Sequence, residues 1–243
     1  MIRPLAVLAL TGFAVTASSQ DLTITFKSSD GSTAMNYFSK DRMRMNSGRS
    51  DSIMEFDSGT MINIDHQKKE YSEITIAELD ANMKAMSAKM EESMAKMPPQ
   101  MREQMAKLMG GATADVTVTK GGTKTIAGYV CQEYTVTMGK NMTQESCNST
   151  ALTPPFDPAN FQKLTHLSIP MMQGADKLIE KMSVIQGISL MNHTSINMMG
   201  NKRDTTMEAT EVKKGPIAAD VFAVPAGYKK IDSPMKNMGK MGR

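Results

Sequence analysis

The chain has no tryptophan, and only 12 of its 243 residues are aromatic: 5 Tyr and 7 Phe. It has two cysteines and three histidines, His66, His166 and His193. So few cysteines exclude a disulfide-dense miniature scaffold, and three scattered histidines exclude a histidine metal cluster. The net charge is +3, and no basic stripe is interleaved with aromatics, which excludes a dedicated nucleic-acid binder. No serine-hydrolase elbow, zinc-protease, P-loop or dinucleotide signature occurs, so no local catalytic motif is present. Past the N-terminus no apolar run approaches the roughly 20 residues a membrane helix needs. The length suits one large domain or two small ones with a real core.

Methionine is what the chain has in excess, at 26 residues. The N-terminus, MIRPLAVLALTGFAVTASSQ, carries Arg3, then an apolar run, then small residues before Gln20. That pattern reads as a secretory signal peptide over 1–19, so the protein is expected to be exported, periplasmic or extracellular.

Residues 21–73 alternate polar and apolar side chains between turn signals at Asp30-Gly31, Ser58-Gly59 and Asp65–Lys68. This predicts a meander of short antiparallel strands. Near Thr75 the composition turns helical. Thr75 is a candidate N-cap with Glu78 as its capping-box partner, Pro98-Pro99 breaks the helix into an elbow, and Gly110-Gly111 ends it. Strands are expected again from Thr113, with a turn at Gly121-Gly122. FDPANFQKLTHLSI and ADKLIEKM read as helices, and two further strands follow. The expected fold is α+β: a curved antiparallel sheet, an incomplete barrel, covered by Met-rich helices. One domain is expected over 20–230 with a helical insert at about 75–110. Residues 231–243 read as a disordered basic tail containing Met235, Met238 and Met241.

In the exported compartment Cys131 and Cys147 are expected to form a disulfide. A hairpin that places them directly opposite is centred on Gly139, with Met138-Gly139-Lys140 as its loop. That register sets Glu133 against Glu145, which disfavours it. A redox or metal-binding thiol pair is the alternative, although the spacing is not CxxC.

The helical region carries methionine at 83, 86, 90, 94, 97, 101, 105 and 109, a mean step of about 3.7, close to the helical period. The opposite face bears five basic and five acidic residues. Three uses of the stripe are open. It can be core packing, or a deformable surface for acyl chains or apolar peptides. It can also be a soft Cu(I) site, for which Met235, Met238 and Met241 in the unburied tail are the candidate ligands.

DRMRMN followed by SIMEFDSGTMINIDHQKKEYSEI, then TKTIAGYVCQEYTVT with Cys147, then ADVFAVPAGYKK, resembles a bacterial exported family, domain of unknown function 4412. That family is similar, more distantly, to outer-membrane lipoprotein carrier and receptor proteins. The resemblance implies a half-barrel closed by helices over an apolar cavity, and transfers no catalytic residue. The expectation is therefore a non-enzymatic binding protein without cofactor. It would hold a lipid or apolar peptide between the sheet and Met83, Met86, Met90, Met94, Met97, Met101 and Met105. The alternatives are a Cu(I)-binding or oxidant-buffering protein, and a ligand-free structural module. The tail, with five basic residues from Lys229 onward against Asp232, is a candidate contact for an anionic membrane surface.

Overall fold

A computed structural model describes residues 20–98, 100–101, 116–139, 142–157, 159, 180–198 and 201–237. The expected signal peptide lies outside the described residues, as do most of the 158–179 segment and the part of the expected second Met-bearing helix beyond Met101.

The N-terminal meander forms six strands: β1 (Leu22–Ser28), β2 (Thr33–Phe38), β3 (Arg42–Asn46), β4 (Ser50–Glu55), β5 (Thr60–Asp65) and β6 (Glu70–Thr75). Helix α1 (Ile76–Ala95) follows without a loop. Thr75 Oγ1 accepts from the Glu78 amide at 3.1 Å, and the Thr75 amide donates to Glu78 Oε2 at 2.9 Å, so the expected capping box is present. That amide, helped by Lys236, holds the Glu78 carboxyl below its ordinary pKa. The helix stops before Pro98 and helical backbone resumes at Gln100. Proline removes an amide donor and crowds the preceding turn, so the break is local chemistry.

The second half comprises β7 (Val116–Ile126), β8 (Tyr129–Met138), β9 (Met142–Ser149), β10 (Ile188–Met198) and β11 (Asn201–Lys214). A 3₁₀ turn (Ala219–Phe222), β12 (Lys229–Asp232) and a short helix α2 (Pro234–Asn237) follow among the described residues. The twelve strands of the described residues join one sheet in the order β12-β6-β5-β4-β3-β2-β1-β11-β10-β9-β8-β7. Every described neighbour pair is antiparallel except β12 with β6. The chain is thus mostly β, one large open curved sheet with few helices.

Four expectations are corrected. The α+β fold expected, a curved sheet covered by Met-rich helices, is instead dominated by the sheet among the described residues. Gly121-Gly122 is not a turn but a bulge inside β7, between Lys120 and Thr123, where a Cβ on Gly121 would meet Glu133 Cβ at 3.2 Å. The turn falls instead at Ala127-Gly128, both with positive φ. The β8–β9 hairpin pairs Glu133 with Cys147 and Met138 with Met142, so its centre is Lys140. This register moves Glu145 opposite Thr135, away from Glu133, and keeps both cysteines on one face. Finally, residues 231–237 of the expected tail complete β12 and form α2.

Two apolar layers hold the sheet. On one face Leu22, Ile24 and Phe26 of β1 join Leu190, Leu152 and the disulfide. On the other, Ile53, Ile62 and Ile64 pack against residues 217–228, with Phe222 buried among them.

Candidate functional site: a groove on the hollow face of the sheet

Because side chains alternate across a strand, register alone sorts the first six strands into rows. One row on the hollow face runs Leu22, Phe38, Met43, Met54, Met61 and Ile74. It is apolar and covered: the Phe156 ring lies 6.2 Å from that of Phe38 and 4.8 Å from that of Phe56. Leu79 is buried where α1 leaves β6. The next row runs Asn36, Met45, Ser52, Asn63, Ser72 and Ile231, directly paired across five ladders. This row is mixed and uncovered. It floors a cavity of about 680 Å³ whose far walls include Phe26, Ala34, Met207 and Met235.

The polar members of the floor are unusual. The side chains of Asn36, Ser52, Asn63 and Ser72 make no hydrogen bond with the described residues, although Ser72 is only 5% exposed. Asn192, at the β10 end of the cavity, differs. It donates to Ser189 Oγ at 2.9 Å and accepts from Gln144 Nε2 at 3.3 Å. Above the floor Asp65 stands directly opposite Glu70. Asp65 accepts from the Lys68 and Gln67 amides, each at 3.0 Å, and these bonds hold its carboxyl below the ordinary pKa. Lys68 Nζ adds an ion pair to Asp65 at 3.6 Å.

Behind the groove, the opposite face carries a hydrogen-bonded clasp. Asp51, fully enclosed, pairs with Arg44, whose Nε lies 2.8 Å from Asp51 Oδ2, and Arg44 Nη1 donates to the Val221 carbonyl. His66 Nε2 sits 3.0 Å from Asp51 Oδ2, and its Nδ1 sits 2.8 Å from the Tyr228 hydroxyl. An Nε2–H donating to Asp51 leaves Nδ1 to accept from Tyr228. The clasp fixes residues 221–228 to β3, β4 and the turn after β5. Sequence reasoning missed it, because four residues spread over 44–228 share no local pattern.

The expected site residues are dispersed. Met83, Met86, Met94 and Met97 are half-buried on α1 and the turn that ends it, and Met101 is 54% exposed beyond the elbow. None of these five lines the groove. The Met90 side chain, Met105, Met238 and Met241 lie outside the described residues. Met235 is placed on the groove rim. Cys131 and Cys147 form a disulfide. Among the described residues no group of three or more His, Cys, Asp or Glu could hold a metal ion. Nor is any described helix long and apolar enough to cross a membrane. Met45 and Met207 went unnoticed as groove residues, since the alternation that places them carries no register.

Residues 21–228 match the family model described as a domain of unknown function, DUF4412. The chain belongs to this family. No curated protein matches it. Among solved structures, this DUF4412 member is similar to an uncharacterized conserved protein from Thermus thermophilus. The TM-score is 0.44 at 6% identity, over 89% of this chain and 92% of that one. It is also similar to the Pseudomonas aeruginosa MucA/MucB complex, with TM-score 0.38 and 12% identity over 86% of this chain. It spans 56% of the matched chain of that complex. A putative outer membrane lipoprotein-sorting protein domain from Vibrio parahaemolyticus gives 0.21 at 10% identity, over 84% and 89% of the two chains.

Proposed function

We propose that this DUF4412 protein is an exported binding module of the cell envelope that holds an amphipathic ligand, rather than an enzyme. The observation that carries the reading is an open cavity of about 680 Å³ lined by two exposed methionines, Met45 at 43% and Met235 at 37%. That volume lies within the range of about 300–1,000 Å³ common to small-molecule sites. Methionine is unbranched and polarizable, so it adapts to chains of varied shape. The groove's polar groups are amides, hydroxyls and rim carboxylates, which suit recognition, while His66 is engaged in the clasp on the other face. The N-terminal signal pattern and the disulfide support export.

The test compares two methionine sets with a fluorescent fatty-acyl probe. Met45→Gln with Met235→Gln is expected to weaken binding roughly tenfold, because each change removes apolar contact area. Met94→Gln with Met97→Gln at the end of α1 is expected to leave affinity within about twofold. The reverse result moves the site to the helix, and a wild-type protein that binds no probe ends the proposal.

A further inference from the structure

We infer that the groove selects the head of its ligand: a single-chain amphiphile whose uncharged head carries an amide or hydroxyl, and not a carboxylate. This rests on the reading of the groove as a ligand site. The chemistry lies in the order of the floor. Ser52, Asn63 and Ser72 are successive partners on β4, β5 and β6. Neighbouring strands are about 4.8 Å apart, so the three polar groups span about 10 Å. A hydroxyl both donates and accepts, and a carboxamide offers two donors and an acceptor. Ser72 is 5% exposed with no partner among the described residues. Its hydroxyl opens on the cavity, where solvent reaches it, so an occupant that displaces that solvent must bring donors and acceptors of its own.

Charge sets the second limit. Asp65 and Glu70 face each other across β5 and β6 on the groove face, and like charges directly opposite repel. Lys68 is drawn to Asp65, whose carboxyl two backbone amides keep ionised. Lys229 stands in register with Glu70 on the outer strand and is exposed. At this rim each carboxylate already has a lysine beside it, so an anionic head meets two negative groups and brings a charge with no counter-charge of its own; an uncharged head needs none. The alkyl chain has its own wall in Phe26, Met45 and Met207.

The experiment uses three probes with one fluorescent dodecyl chain, ending in a hydroxyethyl amide, a carboxylate or a methyl group. Binding to the full-length protein is followed by fluorescence titration at neutral pH. The amide is expected to bind about tenfold tighter than either of the others, the scale of one or two well-placed hydrogen bonds. In Ser52→Ala with Ser72→Ala the advantage over the methyl probe should disappear while the affinity of the methyl probe holds. Equal binding of the three probes by the wild type, or tighter binding of the carboxylate, overturns the head assignment and leaves the groove standing. An amide advantage that survives in the double variant overturns the role of the serines. Binding of no probe overturns both this inference and the reading beneath it. The wild-type ranking decides even if the double variant does not fold.

Discussion

The bond between Cys131 and Cys147 ties β8 to β9 where both side chains are almost wholly enclosed, at 1% and 0% exposure. Its Cα atoms are 5.3 Å apart although the two residues are diagonal, not opposite, in the ladder. The pairing was readable from the expected export and the hairpin spacing. The register was not, although the repulsion of Glu133 and Glu145 in the direct pairing pointed the right way. Denatured, unreduced protein should show no thiol to a maleimide label. Cys131→Ala should lower stability by about 2–5 kcal/mol in urea denaturation, the usual loss for a native disulfide. Two labelled thiols in material never exposed to reductant would sink the assignment. Gly187 is a second single-residue constraint, and one with no sequence signal. Its φ is +88°, and a Cβ there would lie 2.4 Å from the Ser149 carbonyl oxygen.

Among the elements, the C-terminal strap changes side. Residues 217–228 pack on the back of the sheet, β12 runs along the β6 edge, and Ser233 to Met235 reach the hollow face. Its anchor is the clasp. Tyr228→Phe should cost about 1 kcal/mol, the net value of a hydrogen bond. Asp51→Ala should cost about 3–5 kcal/mol, because it leaves Arg44 half-buried without its partner. Midpoints of urea curves give both; equal losses for the two variants would contradict the assigned roles. The meander was legible because alternation and turn chemistry coincide from Leu22 to Thr75. β12 was not, because KKID has no period to read and becomes a strand only through its parallel partner. Helix α1 shows a third case. Its N-cap and proline break were legible, but a stripe of methionines does not name the surface it meets.

At the scale of the whole molecule, the groove is a product of register. Asn36, Met45, Ser52, Asn63, Ser72 and Ile231 come from six strands, and a one-residue slip in any of them would send its residue to the back face. The sequence holds the alternation for each strand and nothing that aligns one with the next, so the site could not be assembled from it. The same continuity governs unfolding. The ladder passes unbroken from β12 to β7, and the apolar cluster around β1 includes residues of both halves. Far-UV circular dichroism and tyrosine fluorescence, which samples Tyr71 and Tyr228 near one end, Tyr37 in the middle and Tyr129 and Tyr134 near the other end, should therefore give one coincident urea transition. Two separated midpoints would show that the halves melt independently.

Strand β1 is flanked by β2, some ten residues along the chain, and by β11, which ends at Lys214. A polypeptide emerging from its N-terminus therefore has six strands in hand long before β11, the second neighbour of β1, exists. Throughout that interval the inner edge of β1 is bare, and Leu22, Ile24 and Phe26 lack much of their eventual cover. Bare strand edges and uncovered apolar faces are where chains join the wrong neighbour. The order in which this chain reaches its folding compartment thus matters as much as its final contacts: the last quarter of the polypeptide is what closes the edge opened by its first strand.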